Sequence, residues 1–412
     1  MSVASAVTST TGLAHVPLGD LVEFRRGLTY RKADEVAHSS NAVLRANNVD
    51  LSSGSLDLSD IRFISDEIEV PENKRIVPES LLICTASGSR SHLGKVAYIE
   101  SETGYAFGGF MGLLVPKEHV TAKYLYYFFR SDAYQEFLAS LSSGANINNL
   151  RFADLGKLLV PVPTEVEQKR IVSILDQAFA ALDRARAHAE ANLADADNLQ
   201  HGLVAGAINH ATADDNEAIK LGDLCKIARG GSPRPIKKFL TTSADGINWI
   251  KISDATASGK FIESTQEKII KDGVSRSRFV TSGSFLLTNS MSFGRPYILR
   301  TDGCIHDGWL VLEPDYSKVD QDYLYYLLGS RQVFSEFDRL AAGSTVRNLN
   351  ISLVSSVVVK LPPLHKQCEA VDRIESAVGL SKRLVDRYRD QLSDLGGLRQ
   401  SLLQQAFSGQ LT

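Results

Sequence analysis

Basic and small polar side chains collect in the same two places of each half of the chain, and such residues bind anions. Residues 224–244 hold five cations and no acid around a Gly-Gly-Ser-Pro turn at 230–233. In the first half, arginine and lysine surround Gly27 and Tyr30. Glycine and serine let backbone amides approach a phosphate, and arginine, asparagine, serine and histidine can also read base edges in a groove. The pattern favours contact with nucleic acid.

The second place is a loop rich in glycine and serine, TASGSRSHLGKVAYI at 85–99 and NSMSFGRPYILR at 289–300. One such cluster is most often a solvated surface, but two clusters in each of two halves favour binding. The candidate DNA-binding residues of these clusters are Arg25, Arg26, Tyr30, Arg31, Lys32, Ser87, Ser89, Arg90, His92, Lys95, Arg229, Ser232, Arg234, Lys237, Lys238, Asn289, Ser290, Ser292 and Arg295.

Catalytic signatures are absent from the sequence, which has no GxxxxGK[ST], HExxH or GxSxG motif and no closely spaced Cys/His ligand set. Cys84, Cys225, Cys304 and Cys368 are far apart, so we expect buried thiols and no metal site. The glycine pairs at 108–109 and 230–231 are expected to be turns. An enzyme with a site assembled from distant residues stays open, but the prediction is a chain without catalytic residues.

Composition indicates an ordinary globular protein of two or three domains. The chain has 412 residues, is 43% hydrophobic and 23% charged, and carries a net charge of −3. No apolar run is long enough to span a membrane, and the N-terminal residues lack the pattern of a signal peptide. We therefore expect a cytoplasmic protein.

An internal repeat organises the chain. LGDL occurs at 18–21 and 221–224, and YLYYFFRS at 124–131 returns as YLYYLLGS at 323–330, 199 residues later. Each half mixes β-branched runs with a helical pattern such as 124–138, which predicts α/β or α+β domains. The predicted segments are an N-terminal tail at 1–17, domains at 18–163 and 221–363, long helices at 164–210 and 364–412 (with the C-terminal tail), and a linker at 211–220. A duplicated fold without a shared task is the alternative.

The two long helices carry apolar residues three and four positions apart, the pattern of an antiparallel or parallel coiled coil. We predict that they pack on each other in antiparallel fashion, with polar Arg186, Gln200, Ser381 and Arg399 fixing the register; the alternative is that each folds back on its own domain. The predicted seam comprises Val172, Leu175, Phe179, Leu182, Leu193, Leu203, Val371, Ile374, Val378, Val385, Tyr388, Leu392, Leu395 and Leu402.

Several segments together resemble the specificity subunit of type I restriction-modification systems. They are the LGDL of each half, GANINNLRFADLGKLLVPVP, GSTVRNLNISLVSSVVVKLPP, the helix starts EQKRIVSILD and HKQCEAVDRIE, and the ending LRQSLLQQAFSGQL. The resemblance covers 18–412. It implies a non-catalytic DNA-binding subunit whose two target recognition domains each read half of a bipartite, asymmetric site. The helices would act as spacer and docking platform.

The resemblance also implies further residues, partners and cofactors. The segment that often reaches DNA in such domains corresponds to two sets that align by pattern, Arg45, Asn47 and Asn48, and Lys251, Ser253 and Asp254. The implied partners are double-stranded DNA, two methyltransferase (modification) subunits and restriction endonuclease/translocase subunits, with no membrane. S-adenosylmethionine, ATP and magnesium are expected on those partners and none on this chain. A duplicated coiled-coil scaffold that assembles proteins without reading DNA is the rival hypothesis.

Overall fold

The computed structural model describes residues 7–8, 13–50, 54–89, 92–142, 149–213, 216–290, 293–342 and 348–411. The chain forms two compact units, the first from residues 1–189 with 390–412 and the second from residues 190–389. Each unit therefore contains one mixed domain and a part of both long helices.

The first unit combines short strands with helices of one to three turns. Its strands are β1 (Val7–Thr8), β2 (Ala14–Pro17), β3 (Val22–Arg26), β4 (Glu35–Val36), β5 (Asn41–Leu44), β6 (Arg62–Ile64), β7 (Ser80–Cys84), β8 (Val96–Ile99), β9 (Ala106–Phe107), β10 (Met111–Pro116) and β11 (Leu159–Pro161). Its helices are α1 (Leu18–Leu21), α2 (Ala122–Phe128), α3 (Asp132–Ser142), α4 (Phe152–Leu155) and the beginning of α5 (Glu165–Ala211).

The second unit repeats this plan. Its strands are β12 (Glu217–Lys220), β13 (Cys225–Arg229), β14 (Leu240–Thr241), β15 (Ile247–Ile250), β16 (Phe261–Ile262), β17 (Glu267–Ile269), β18 (Arg278–Val280), β19 (Phe285–Thr288), β20 (Pro296–Leu299), β21 (Gly303–Ile305), β22 (Trp309–Pro314) and β23 (Val358–Leu361). Its helices are α6 (Leu221–Leu224), α7 (Ile252–Thr256), α8 (Gln321–Leu328), α9 (Arg331–Ala341), α10 (Ile351–Ser356) and the beginning of α11 (Leu364–Phe407).

The strand order shows that the two domains share one topology. The sheet β3-β10-β7-β8 of the first unit corresponds to β13-β22-β19-β20-β16 of the second, and β4-β6-β5-β9 corresponds to β14-β17-β15-β21-β18. In both second sheets one parallel pair, β5 with β9 and β15 with β21, lies among antiparallel strands. The predicted mixed fold and the repeat are confirmed.

The pattern at 124–138 forms two helices instead of one. α2 ends at Phe128 and α3 begins at Asp132. Between them the Ser131 hydroxyl donates to the Phe128 carbonyl at 2.7 Å, in competition with helix continuation. In the second unit Ser330 stands at the same break and accepts from the Val333 amide, which starts α9.

In the first unit the two long helices run antiparallel and share one core with the domain. Leu175 and Phe179 of α5 lie in the same buried cluster as Leu403 and Ala406 of α11. Further back along α11, the Arg399 guanidinium donates to Asp183 at 2.9 Å and lies 4.3 Å from the centre of the Phe179 ring. Arg399, a predicted polar seam position, thus pairs the two helices.

The second unit repeats the antiparallel packing with the other ends of the helices. Ile208 of α5 shares a core with Ala370 and Ile374 of α11. The predicted polar seam residue Ser381 is buried and its hydroxyl donates to the Ala196 carbonyl at 3.0 Å. In both units the long helices pack on each other and also on the domain. Both packing arrangements that the sequence left open therefore occur together.

Leu203 departs from the predicted seam, because its side chain is 42% exposed. Val204, Ala207 and Ile208 face the core in its place. A straight helix drifts about 20° per heptad from a 3.5-residue repeat, so an unbroken seven-residue spacing loses the buried face along a helix this long. The other predicted seam positions are buried or half-buried, except Arg186, which is exposed.

Three of the four cysteines are buried as expected, whereas Cys368 is exposed on the first turns of α11. Its neighbour Gln367 takes the buried position there, so the buried-thiol expectation was wrong for Cys368. Among the described residues, no helix is long and apolar enough to cross a membrane.

Candidate nucleic-acid interface

Four connections meet at one end of the sheets in the first domain and enclose a cavity of about 550 Å³, here called pocket A. Its lining comes from residues 28–35, 45–47, 86–88 and 108–111. These segments follow β3, β5 and β7 and precede β10. The equivalent connections of the second domain enclose pocket B, about 1390 Å³, lined by residues from 232–237 and 249–257 with Ser290, His306 and Asp307.

The two pockets have the same backbone foundation. The Leu28 amide donates to the Phe107 carbonyl at 2.7 Å, and in the second domain the Gly231 amide donates to the Ile305 carbonyl at 3.2 Å. One residue earlier, the Gly27 amide donates to Met111. In each domain, the backbone directly after β3 or β13 therefore contacts the turn that precedes β10 or β22.

This crossing requires glycine. A Cβ atom on Gly27 would lie 1.9 Å from the Gly108 carbonyl oxygen, and one on Gly230 would lie 2.1 Å from the His306 carbonyl oxygen. No side chain fits such a distance, so the backbones touch only because both positions lack one. Of the glycines that the sequence marked as turns, Gly108 and Gly109 line pocket A, whereas Gly230 and Gly231 lie directly before the lining of pocket B.

The aligned segments after β5 and β15 form the same turn in both domains. The Arg45 amide donates to Asn48 and the Lys251 amide donates to Asp254, both at 2.9 Å. Asn48 is 1% exposed and also donates to the Asp57 and Asp60 carbonyls. Its side-chain amide is fully hydrogen-bonded inside the domain, so a DNA contact would require these bonds to break, and the role of Asn48 in DNA binding stays a prediction.

In each of these turns, side chains that precede Asn48 or Asp254 in the sequence face the pocket. Arg45 and Asn47 line pocket A, and Lys251 and Ser253 line pocket B. Arg45 pairs with Asp60 at 3.0 Å and Lys251 with Glu267 at 2.7 Å. These acids orient the two half-buried cations, and part of each cationic side chain remains in solvent, as in surface ion pairs.

Asp307 organises the basic turn of pocket B. Its carboxylate accepts from the Ser232 hydroxyl at 2.7 Å and from Arg234 at 3.1 Å, while its carbonyl accepts from Arg229 at 2.9 Å. The hydrogen bond from Ser232 is the main reason that the pKa of Asp307 is lowered, so the carboxylate stays charged. The Arg234 side chain remains 81% exposed despite this pair.

Two other predicted DNA contacts, Lys95 and Asn289, donate hydrogen bonds inside the fold, and their role in DNA binding stays a prediction. The Lys95 ammonium donates to the Val49 carbonyl at 2.6 Å, and its partial burial lowers its pKa. Asn289 is 1% exposed and donates to the Asp307 carbonyl at 3.0 Å. In both cases the side-chain nitrogen donates to a backbone carbonyl, which satisfies a polar group that is partly or wholly buried.

The remaining predicted residues divide by position. Arg25 pairs with Glu23, and Arg26 lies over the Phe152 ring. Arg295 lines a different cavity beside α8 and α9. Those that line a pocket are Tyr30, Lys32, Arg45, Asn47, Ser87, Ser232, Arg234, Lys237, Lys251, Ser253 and Ser290. Those exposed or half-exposed outside the pocket linings are Arg31, Ser89, His92, Arg229 and Lys238. Arg90 and Ser292 lie outside the described residues.

Among the pocket residues that sequence reasoning missed are Phe110, His306 and the Asp307 described above. Phe110 lines pocket A and is 72% exposed. His306 lines pocket B, where burial lowers its pKa and its Nδ1 accepts from the Gly308 amide at 2.8 Å. An apolar residue after two turn glycines was the available signal for Phe110, but nothing in the sequence says that its ring points to solvent.

The pockets present cations, hydroxyls and amides on a concave surface, which suits a phosphate backbone and base edges. The described residues contain no group of histidine, cysteine or acidic side chains that could hold a metal ion. The chemistry of these side chains therefore supports binding of a nucleic acid.

Comparisons with known proteins agree on one family. The family model described as type I restriction modification DNA specificity domain matches residues 12–190 and 213–384. The type I restriction enzyme StySPI specificity subunit of Salmonella potsdam is 26% identical, over 97% of this chain and 89% of that subunit. The EcoKI specificity subunit of Escherichia coli K12 is 25% identical over the same shares.

Solved structures share the fold. A chain from a study of complex assembly and conformational transition of the type I R-M system superposes with a TM-score of 0.77 at 18% identity, covering 96% of this chain and 98% of that one. The HsdS subunit from Thermoanaerobacter tengcongensis has a TM-score of 0.61 at 18% identity, covering 96% and 97%.

Proposed function

This chain belongs to the family of type I restriction-modification DNA specificity domains, and we propose that pocket A and pocket B each read one half of a bipartite DNA site. The observation that carries the proposal is the repeated cavity on one backbone foundation, lined by cations in both domains. DNA sequence recognition is the task of this chain, and the proposal assigns it to these two surfaces.

The two half-sites should differ in sequence, because the pocket linings differ. Position 45 of pocket A is arginine where pocket B has Lys251, and the turn at 108–110 is Gly-Gly-Phe where pocket B has His-Asp-Gly. A good bidentate contact to a base contributes about 1 to 3 kcal/mol of discrimination. Phosphate contacts fix the register and make the affinity fall with salt.

We assign chemistry on DNA to partner subunits. Two methyltransferase subunits would carry S-adenosylmethionine, and endonuclease/translocase subunits would carry ATP and magnesium, in the cytoplasm. The long helices offer a docking surface, since Leu199 and Leu203 of α5 and Leu380 and Leu384 of α11 are 38% to 56% exposed. Exposed leucines one helical turn apart are typical of a helix that binds a partner.

The salt dependence of DNA binding tests the pocket assignment. Lys32→Gln removes one exposed cation from pocket A and Lys237→Gln removes one from pocket B. If each lysine contacts a phosphate, the slope of log K against log salt falls by about 0.9 in each variant. Lys271→Gln, exposed and outside both pockets, is the matched control and should leave the slope unchanged.

The same measurement separates DNA reading from a protein scaffold. A scaffold would show negligible affinity for any duplex, and the three lysine variants would behave alike. Conversely, replacing Leu199 and Leu380 by serine should weaken methyltransferase binding while leaving duplex affinity intact. A methylome compared with and without this chain supplies the target sequence for these assays.

A further inference from the structure

We propose that Phe110 determines specificity in pocket A by contacting the 5-methyl group of one thymine in the first half-site. This inference rests on the DNA-reading function proposed above. It assigns a chemical preference to a residue that does not belong to the basic clusters.

The first observation is the exposure of the ring. Phe110 is 72% exposed, whereas the other exposed aromatic side chains of the described residues, Phe279, Tyr316 and Phe334, are 41% to 52% exposed. None of those three lines either pocket. Single apolar residues are common on surfaces, so exposure alone carries little weight. The exposure of the ring is informative here because Phe110 lies on the lining of pocket A.

The second observation is that the backbone of Phe110 is held firmly. Its carbonyl accepts from the Thr85 amide at 2.9 Å, from the Thr85 hydroxyl at 3.0 Å and from the Ala86 amide at 3.1 Å. The Met111 amide closes the turn on the Gly108 carbonyl at 2.8 Å. A ring on a fixed backbone has only two side-chain torsions to order on binding, so contact with a ligand costs little conformational entropy.

The surroundings of the ring identify the ligand group. Gly108 and Gly109 precede Phe110 and add no side chain, so they leave room beside the ring. Lys32 and Arg45 line the same cavity and can bind phosphates near the ring. In the major groove, the methyl group of thymine is the apolar feature that distinguishes this base, and phenylalanine is a side chain that contacts it. An apolar group among cations therefore matches a thymine edge between phosphates.

Insertion between base pairs fits the site less well. A wedge must unstack two base pairs, and proteins that do this offset the cost by bending DNA around a larger surface. Phe110 lies on the wall of a concave cavity whose other walls carry the polar groups. We therefore expect the ring to contact the edge of a base and not to enter a base stack.

The second domain lacks this contact. The Gly308 carbonyl accepts from the Asn289 amide at 2.9 Å, the bond that the Phe110 carbonyl accepts from Thr85. Glycine therefore stands where the first domain has phenylalanine, and His306 and Asp307 replace the two glycines. Removing the ring should alter reading of one half-site alone.

The test uses the full chain and duplexes that carry its recognition sequence. Each thymine of both half-sites is replaced in turn by deoxyuridine, which lacks the 5-methyl group. For the unmodified protein, one replacement in the first half-site should weaken binding roughly fourfold, the effect of one buried methyl group. Phe110→Ala should bind about fourfold more weakly and lose all sensitivity to that replacement. Phe110→Leu should keep part of the sensitivity.

Several results would overturn the proposal. They are a first half-site in which no thymine responds to deoxyuridine, a Phe110→Ala variant that keeps the response, and a fluorescence increase of 2-aminopurine beside the site, which reports unstacking by a wedge. Tyr316→Ala removes an exposed aromatic ring away from the pockets and should change nothing. Failure here leaves DNA reading intact, because the salt slopes of the lysine variants test that separately.

Discussion

Asp176 of α5 and Glu375 of α11 occupy the same position in the two repeats, 199 residues apart, and each faces the equivalent tyrosine of its own unit. Tyr127 donates a hydrogen bond to Asp176, and the negative charge of Glu375 helps burial to raise the pKa of Tyr326. An acid on each long helix therefore ties the helix to its recognition domain.

Each of these acids also binds a lysine, but the lysines come from different places. Lys123 pairs with Asp176 at 2.8 Å. The position equivalent to Lys123 in the second unit is Asp322, an acid, and Lys260 from another loop lies between Asp322 and Glu375 at 2.8 and 2.9 Å. Each unit therefore places one lysine against the acid of its long helix, but the second unit adds a second acid, Asp322, to the same lysine.

We expect Lys260→Ala to destabilise the second unit by about 1 to 2 kcal/mol, since it leaves two facing acids without their shared cation. The Lys260 side chain is only 13% exposed, but both acids are partly solvated, which limits the loss. Urea unfolding measures the change. Lys271→Ala, at an exposed site, serves as control. An equal loss of stability in both variants would contradict the role of Lys260 as the shared cation of the two acids.

The glycine crossings predict a second stability effect. Gly27→Ala and Gly230→Ala should each cost about 2 to 4 kcal/mol, because the added methyl group forces two backbones apart. Gly88→Ala and Gly259→Ala are matched controls, since a Cβ atom there meets nothing within 4 Å. Thermal unfolding of the four variants gives the comparison. Crossing variants as stable as their controls would refute the close approach.

His306 predicts a pH effect on the second unit. Burial lowers its pKa from the ordinary 6.5, against the raising effect of Asp307. Because the unfolded chain then binds the proton more readily, stability is full above pH 6.5 and falls as the pH drops through the interval down to the folded pKa. The fall is at most about 1.4 kcal/mol per pH unit.

Unfolding at pH 7.5 and pH 5.5 checks this direction. His306→Asn, whose side-chain oxygen can replace Nδ1 as the acceptor of the Gly308 amide, should remove most of the difference between the two values. His365→Asn, at an exposed site on α11, should keep it. A stability that rises on acidification would be the wrong sign.

The long helices predict a change in the DNA target. Insertion of four residues into α5 after Ala189 and into α11 after Arg389 should lengthen the preferred gap between half-sites by about two base pairs. Methylation footprints report the gap. Four exposed residues changed to alanine without a change in length provide the control, and an unaltered gap would remove the spacer role.

Periodicity and repetition made most of the fold predictable. The repeat at 199 residues and the spacing of apolar residues depend on local chemistry, so they are visible in the sequence. Leu203 was predicted wrongly because the drift of a straight helix accumulates over many turns. It changes the buried face only near the end of α5.

The site was less predictable, since a basic residue does not reveal its partner. Lys95 is captured by Val49, 46 residues away, and Asn289 by Asp307. Phe110 was missed for the opposite reason, because an aromatic residue is ordinarily expected in the hydrophobic core. Whether such a side chain turns inward or outward depends on long-range packing that the sequence does not display.

Beside each pocket, two stretches of backbone contact each other directly, with glycine at the crossing. That contact does not depend on exposed cations such as Lys32 and Lys237, whereas Asp307 helps to hold the turn of pocket B. We therefore expect exchange of the exposed lining residues to change the half-site that a pocket reads while the backbone frame stays the same, so that new DNA targets need few substitutions.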